Sequence, residues 1–151
     1  MFKINFDGAI SKVANKFGIC VVIRDNQGLA ITSFFQQLPQ AYRVEEIEAL
    51  VVARALEFAF EIGIDSAVLE GNSELIIKAL TDEDPLCRSF GSLIVDAKFC
   101  SSSFNQLRYF HIKRECNKVA HNLVKYAINV LNYVVWMEAI LPHLSLYFSS
   151  I

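Results

Sequence analysis

The chain has no long apolar segment, and its net charge is small. Its apolar stretches are short and interrupted by charged residues, whereas a membrane-spanning helix takes about 20 apolar residues. A net charge of −2 excludes general attraction to phosphate, so a nucleic-acid role requires a local basic patch. The first residues form a strand pattern with an acid at position 7, so we expect neither a signal peptide nor a membrane segment.

Cysteine is also scarce, and its spacing indicates neither a disulfide framework nor a zinc site. No CxxC pair and no paired histidine pattern is present. We therefore expect reduced thiols and an intracellular location, nuclear or cytoplasmic. The cysteines are Cys20, Cys87, Cys100 and Cys116.

Apolar residues, by contrast, are abundant. Hydrophobic residues make up 54% of the chain, twelve of them Phe, and the mean hydropathy is +0.35. A 151-residue chain is the size of one ordinary domain, which buries roughly 68–70% of its unfolded surface. We expect a single domain over 1–151, with a core at about 3–132 and a tail at 133–151.

The first third of the chain has the two-residue period of strands. Strand patterns occupy 2–7, 17–24 and 29–35, and Gly8 with Ala9 ends the first. A turn signal at 25–28 separates the second from the third, which predicts an antiparallel meander.

After Pro39 the period changes to that of helices. An amphipathic helix is predicted over 44–62, with Gly63 as its stop and Ser73 as the N-cap of a later helix. This order predicts an α/β fold, a mixed sheet with helices on both faces. The other predicted elements are a strand at 65–70, helices at 74–80 and about 89–100, a strand at 105–112 and a helix at about 117–132.

Four polar residues at the edges of these elements are candidates for one site: Asp7, Glu48, Asn72 and His121. Each also has a purely structural interpretation. Asp7 suits a strand-end cap, Glu48 a polar helix boundary and His121 an exposed helix start. Asn72 suits an ordinary turn, a neutralised site or an engineered substitution. Only two of the four are carboxylates.

Five segments together resemble the ribonuclease H family, and most closely its plant branch associated with reverse transcriptases. The resemblance runs in order from about residue 3 to residue 142. The segments are Lys3-Ile-Asn-Phe-Asp-Gly-Ala9, 18–25 with Gly28, Glu48-Ala-Leu50 with 55–59, Leu69-Glu-Gly-Asn-Ser73, and Arg114-Glu-Cys-Asn-Lys-Val-Ala-His121 with Leu123.

The resemblance implies a five-stranded mixed sheet and a two-magnesium site that cuts the RNA strand of RNA–DNA hybrids. Asp7 would touch both metals and Glu48 would ligate one, while Asn72 and His121 stand in the places of the third and fourth acids. An amide oxygen can reach Mg²⁺ or Mn²⁺ but brings no negative charge to offset the cations. We therefore expect weak metal binding and weak or absent activity.

Five residues are candidates for nucleic-acid contact. Three are basic residues near the last strand and last helix, Lys113, Arg114 and Lys118, and the other two are Asn15, in the loop after the first strand, and Ser73, at a helix start. The alternative for the basic ones is a solvated charged face. Because an acidic segment at 82–84 replaces the basic protrusion of some bacterial members, we expect weak, salt-dependent binding. His111, at the end of the last strand, is interpreted as a packing residue.

Three functions remain open at this point. The first is a metal-dependent endonuclease, a phosphodiester hydrolase acting on RNA–DNA hybrids, with Asp7, Glu48, Asn72 and His121 as its site. The second is a non-catalytic nucleic-acid or protein interaction module derived from a mobile element. The third is a folded remnant of such an element.

Overall fold

The computed structural model describes residues 1–11, 16–39, 44–81, 91–114 and 133–137. Within them, six strands form one sheet in the order β5-β4-β1-β2-β3-β6. In chain order the elements are β1 Phe2–Ser11, β2 Lys16–Arg24, β3 Ala30–Pro39, α1 Val44–Glu61, β4 Ser66–Gly71, α2 Glu74–Thr81, α3 Gly91–Ser101, β5 Gln106–His111 and β6 Tyr133–Met137.

The predicted α/β fold with a mixed sheet is confirmed. β1, β2 and β3 pair antiparallel, as the short turns between their patterns predict. β4 pairs parallel to β1, and β5 pairs parallel to β4. The carboxyl ends of β1, β4 and β5 therefore lie at the same end of the sheet.

A sixth strand extends the five that were predicted. β6 pairs antiparallel with β3 in the segment that the sequence analysis assigned to a tail. Its sequence, Tyr-Val-Val-Trp-Met, consists mainly of the β-branched and aromatic residues that favour strands. The tail interpretation of 133–137 was therefore wrong.

The first strand is also longer than predicted. Gly8 and Ala9 continue it and pair with Ile19 and Gly18 of β2. Pairing with a long neighbouring strand outweighs the low strand preference of Gly and Ala. Asp7 is consequently an internal residue of β1, so its interpretation as a strand-end cap was wrong.

One apolar core joins the sheet to the three described helices. Alternate residues of β1 and β2, such as Ile4, Phe6 and Ile19, pack with α1, α2 and α3 in a single buried cluster. α1 ends as predicted, because Gly63 takes a φ of 90° that favours glycine. The helix predicted at about 117–132 lies outside the described residues.

No helix in the described part of the chain is long and apolar enough to cross a lipid bilayer. Cys20 is a buried free thiol and Cys100 a partly buried one. Cys87 and Cys116 lie outside the described residues.

Candidate active site

Asp7 lies on β1 just beyond the point where β1 and β4 stop pairing. The β1–β4 ladder runs from Phe2↔Ala67 to Asn5↔Glu70, whereas β1 pairs with β2 as far as Ser11. The Asp7 side chain is 4% exposed, and its Oδ1 accepts a hydrogen bond from the Gly8 N–H at 2.9 Å. The open edge of β1 thus carries a buried acid.

Glu48 reaches the same edge from α1. Its Oε1 accepts a second hydrogen bond from the Gly8 N–H, at 3.3 Å. The Glu48 side chain is buried, and its Oε2 receives no hydrogen bond from a donor among the described residues. A buried carboxylate oxygen without a donor is costly unless a proton or a cation satisfies it.

Gly8 allows this approach because it has no side chain. A Cβ at position 8 would lie 2.6 Å from Cγ2 of Ile47 and 3.6 Å from Oε1 of Glu48. The first distance is far inside van der Waals contact, and Ile47 is a buried, β-branched residue with little freedom to move. The Asp-Gly pair of the sequence therefore supplies both a candidate ligand, Asp7, and the space in which α1 approaches β1.

The electrostatics of the pair favour a shared proton over two charges. Burial, and next to it the negative charge of Asp7, raise the pKa of Glu48 to about 8. A hydrogen bond with the Asp7 carboxyl raises this pKa further, while the Gly8 N–H and the positive charge of Arg114 lower it. Two close carboxylates in a dry site cannot both ionise easily without a counter-charge.

Asn72 follows the end of β4, next to this edge. It lies two residues past Glu70, just as Asp7 lies two residues past Asn5, and Asn5 and Glu70 are the last pair of the ladder. The backbone carbonyl oxygen of Asn72 lies 3.3 Å from Nε2 of His111. It accepts a hydrogen bond from this nitrogen when the ring carries a proton there. His111 is exposed, so its interpretation as a packing residue was wrong.

Ser73 has the predicted capping role. Its Oγ accepts a hydrogen bond from the Ile76 N–H at 3.4 Å, and α2 begins at Glu74. This is the standard N-cap arrangement, in which the side chain satisfies a first-turn amide. The cap fixes the direction in which the chain leaves Asn72.

The other site predictions divide between described and undescribed residues. Lys113 and Arg114 follow β5 and are exposed, and the charge of Arg114 reaches Glu48. His121, Asn15 and Lys118 lie outside the described residues.

The donors at this edge suit a hard cation better than a soft one. Asp7, Glu48 and Asn72 offer only oxygen atoms, which Mg²⁺ and Mn²⁺ prefer. Oε2 of Glu48, which has no hydrogen-bond partner among the described residues, is the atom that a bound cation would contact. Among the described residues, however, no three or more His, Cys, Asp or Glu side chains cluster in a way that holds a metal ion. The residues fit a cation, but with less negative charge than a full acid set.

Comparison with known proteins identifies the fold and the family. A family model described as reverse transcriptase-like matches residues 5–127. No curated protein sequence matches the chain significantly.

Several solved ribonuclease H structures are similar over most of their length. RNase H1 from the halophilic archaeon Halobacterium salinarum NRC-1 has a TM-score of 0.74 and 25% identity, over 85% of this chain and 97% of that one. LC11-RNase H1 from compost, solved with an RNA/DNA hybrid, has a TM-score of 0.68 and 26% identity over the same shares. The N-terminal RNase H domain of a Mycobacterium tuberculosis protein has a TM-score of 0.75 and 19% identity, over 85% of this chain and 93% of that one.

Proposed function

The chain belongs to the reverse transcriptase-like family, and on this basis we propose that it is a ribonuclease H-like domain that binds RNA–DNA hybrids through a weakened two-metal site. One observation carries the proposal. Glu48 lies buried against Asp7, with one carboxylate oxygen lacking a described donor and with a raised pKa. Such a pair is poorly satisfied by the protein alone and well suited to a cation.

The roles proposed for the site residues follow from their positions. Bound divalent cations would stabilise both the attacking and the departing oxygen of a phosphodiester. Asp7, at the open edge of β1, would hold both cations, and Glu48 would hold one of them. Asn72 would contribute only an amide dipole where relatives have a third acid. The smaller negative charge is the reason we expect weak Mg²⁺ or Mn²⁺ binding and slow or absent cleavage.

The proposed hybrid contacts lie around this edge. Lys113 and Arg114 are exposed just after β5, and the charge of Arg114 reaches Glu48, so both side chains are proposed to meet phosphate oxygens. Ser73 lies next to Asn72, and its proposed contact is with a phosphate or a ribose hydroxyl. His121 as the fourth catalytic residue, with Asn15 and Lys118 as contacts, completes the proposed set.

As part of the same proposal, we place the chain in the plant branch of the family and propose that it originated in a mobile element. The residue that supports this placement is His121, because histidine is common at the position of the fourth acid in that branch. We treat residues 1–151 as a single ribonuclease H type-1-like domain within the cell.

A second candidate is a non-catalytic module that keeps the fold and grips nucleic acid or a protein. The absence of a three-acid cluster among the described residues favours it. The two candidates differ in one measurable respect, because only a residual nuclease gains activity when the missing charge is restored.

The deciding experiment measures cleavage of a labelled RNA–DNA hybrid in Mg²⁺ or Mn²⁺. We expect little cleavage by the native chain and clearly more by Asn72→Asp. The variant that combines Asn72→Asp with Asp7→Asn should show no such increase. Asn26→Asp adds the same charge at an exposed turn and should change nothing. Brisk cleavage by the native chain that Asp7→Asn abolishes would show that Asn72 does not weaken the site. No cleavage by Asn72→Asp, with hybrid binding retained, would favour the non-catalytic module.

A further inference from the structure

A closed polar cluster joins β2, β1 and β4, two residues before Asp7 along β1. Arg24 at the end of β2 donates from Nε to Oδ1 of Asn5 at 2.9 Å, and from Nη2 to Oε2 of Glu70 at 3.2 Å. The Nδ2 of Asn5 donates to the same Glu70 oxygen at 3.1 Å. Each of the three side chains is bonded to the other two, and Lys3 adds an ion pair to Glu70 at 3.7 Å.

The cluster spans three neighbouring strands. Adjacent strands lie about 4.8 Å apart, so the guanidinium of Arg24 extends from β2 across β1 to reach Glu70 on β4. Asn5 beneath it is 3% exposed, and the side chain of Glu70 is 12% exposed. The planar, multiply donating guanidinium is suited to bonding two acceptors at fixed positions.

The position of the cluster gives it a role beyond general stability. Asn5 and Glu70 form the last pair of the β1–β4 ladder. Asp7 and Asn72 lie two residues beyond them, where no backbone pairing holds the two strands together. The cluster joins the side chains of the two strands at the last pair of the ladder, and it therefore constrains how far apart the strands are when they reach Asp7 and Asn72.

We propose that Arg24 is a positioning residue, which, through Asn5 and Glu70, fixes the spacing between Asp7 and position 72 and thereby the affinity of the site for a divalent cation. This inference rests on the proposed function, since it concerns the same site. Arg24 itself would touch neither cation nor hybrid.

Charge alone predicts the opposite effect, and this makes the inference testable. Removing the positive charge of Arg24 leaves the surroundings more negative, which would strengthen cation binding by simple attraction. Without the two hydrogen bonds of Arg24, the contact between Asn5 and Glu70 is no longer held in place, which loosens the ends of β1 and β4 and would weaken cation binding. The sign of the change distinguishes the two.

The test is Mn²⁺ binding by calorimetry in the full chain carrying Asn72→Asp. We expect Arg24→Met to weaken Mn²⁺ binding about tenfold, the low end of the range for residues that orient metal ligands. The matched control is Arg54→Met. Arg54 is a similarly half-buried arginine that pairs with Glu57 at 3.0 Å and stacks on Phe34 at 5.2 Å, away from the site, and its loss should leave binding unchanged.

A conservative variant separates geometry from charge. Arg24→Lys keeps the charge but offers one donor group without the planar fork, so we expect it to bind Mn²⁺ as weakly as Arg24→Met does. Restored binding in Arg24→Lys, or unchanged or tighter binding in Arg24→Met, overturns the inference.

Amide hydrogen exchange at Gly8 provides a readout that needs no metal. The Gly8 N–H bonds both acids, so we expect faster exchange there in Arg24→Met than in Arg54→Met. If the Asn72→Asp chain binds no Mn²⁺, the proposed function fails. The positioning of the strand ends is then judged by this exchange alone, and equal rates in the two variants refute it.

Discussion

The two polar groups on either side of the end of the β1–β4 ladder differ in how their charges are met. In the cluster of Asn5, Arg24 and Glu70, the carboxylate accepts two hydrogen bonds and faces two cationic side chains. In the acid pair of Asp7 and Glu48, two carboxyl groups share one backbone N–H, and among the described residues Arg114 is the cationic one that acts on Glu48.

The difference separates a polar group whose bonds are complete within the fold from one that, under the proposed function, binds a cation. A satisfied buried network fixes geometry, whereas a partly satisfied one is high in energy until something completes it. Glu70 accepts two hydrogen bonds and faces two cations, whereas Oε2 of Glu48 has no hydrogen-bond partner among the described residues. The same chemical change at these two acids should therefore have opposite effects.

The largest expected effect comes from closing the space that creates the acid pair. Gly8→Ala places a methyl group 2.6 Å from Cγ2 of Ile47 and forces α1 away from β1. We expect a loss of about 3 kcal/mol in the free energy of unfolding, the upper part of the range for overpacking, measured by urea denaturation.

Ile47→Ala is the partner for a double-mutant cycle with Gly8→Ala. It removes the contacting methyl group, so the double variant should lose clearly less stability than the two single changes added together. Simple additivity would mean that the contact between positions 8 and 47 is not the source of the loss.

The next largest effect on stability concerns Glu48, whose negative charge is only partly compensated by the described residues. Its pKa rises from an ordinary value of 4.5 to about 8 in the folded state, so between these values the folded protein holds a proton that the unfolded chain has released. The stability that this proton contributes is complete below about pH 4.5 and is lost as the pH rises to about 8. Glu48→Gln removes this loss.

By linkage, the whole shift corresponds to about 5 kcal/mol at pH 8.5. Because relaxation and water entry around a buried charge reduce such penalties, we expect Glu48→Gln to be more stable than the native chain by about 2 kcal/mol at pH 8.5, with little difference at pH 4.5. Urea denaturation at the two pH values, without divalent cations, measures this. A Gln variant less stable than the native chain at pH 8.5 would contradict a strained acid pair.

A cation should relieve the same strain. Adding Mn²⁺ at ten times its dissociation constant should stabilise the Asn72→Asp chain by about 1.4 kcal/mol. The native chain at the same Mn²⁺ concentration should gain less, because it has one charge fewer at the site. Thermal unfolding with and without Mn²⁺ checks both, and an equal gain in the two chains would mean that position 72 is not a ligand.

The sequence predicts most of the fold because the elements have clear local periods. The meander, α1 and the stop at Gly63 follow from alternation, helical spacing and one glycine. The end of β1 and the presence of β6 cannot be predicted from such local patterns. Gly8 and Ala9 have little strand preference of their own, and β6 forms by pairing with β3, about a hundred residues earlier in the chain.

The site divides in the same way. Asp7, Glu48 and Asn72 are marked by local motifs that carry a known chemistry. Asn5, Arg24 and Glu70 each read as an ordinary polar residue on a strand face. Their hydrogen bonds join positions 19, 46 and 65 residues apart, and no local pattern encodes such links.

Glu70→Gln gives the smallest effect and completes the comparison with Glu48→Gln. The change keeps the shape of the side chain but removes the charge that faces Arg24 at 3.2 Å and Lys3 at 3.7 Å. Because both cations are partly exposed and can turn toward water, we expect a loss of only about 1 kcal/mol. Urea denaturation at pH 8.5 measures the loss, which should shrink in high salt. If Glu70→Gln instead stabilised the protein at pH 8.5, as expected for Glu48→Gln, the two acids would be equally strained. The polar groups before and after the last β1–β4 pair would then not differ in how their charges are met.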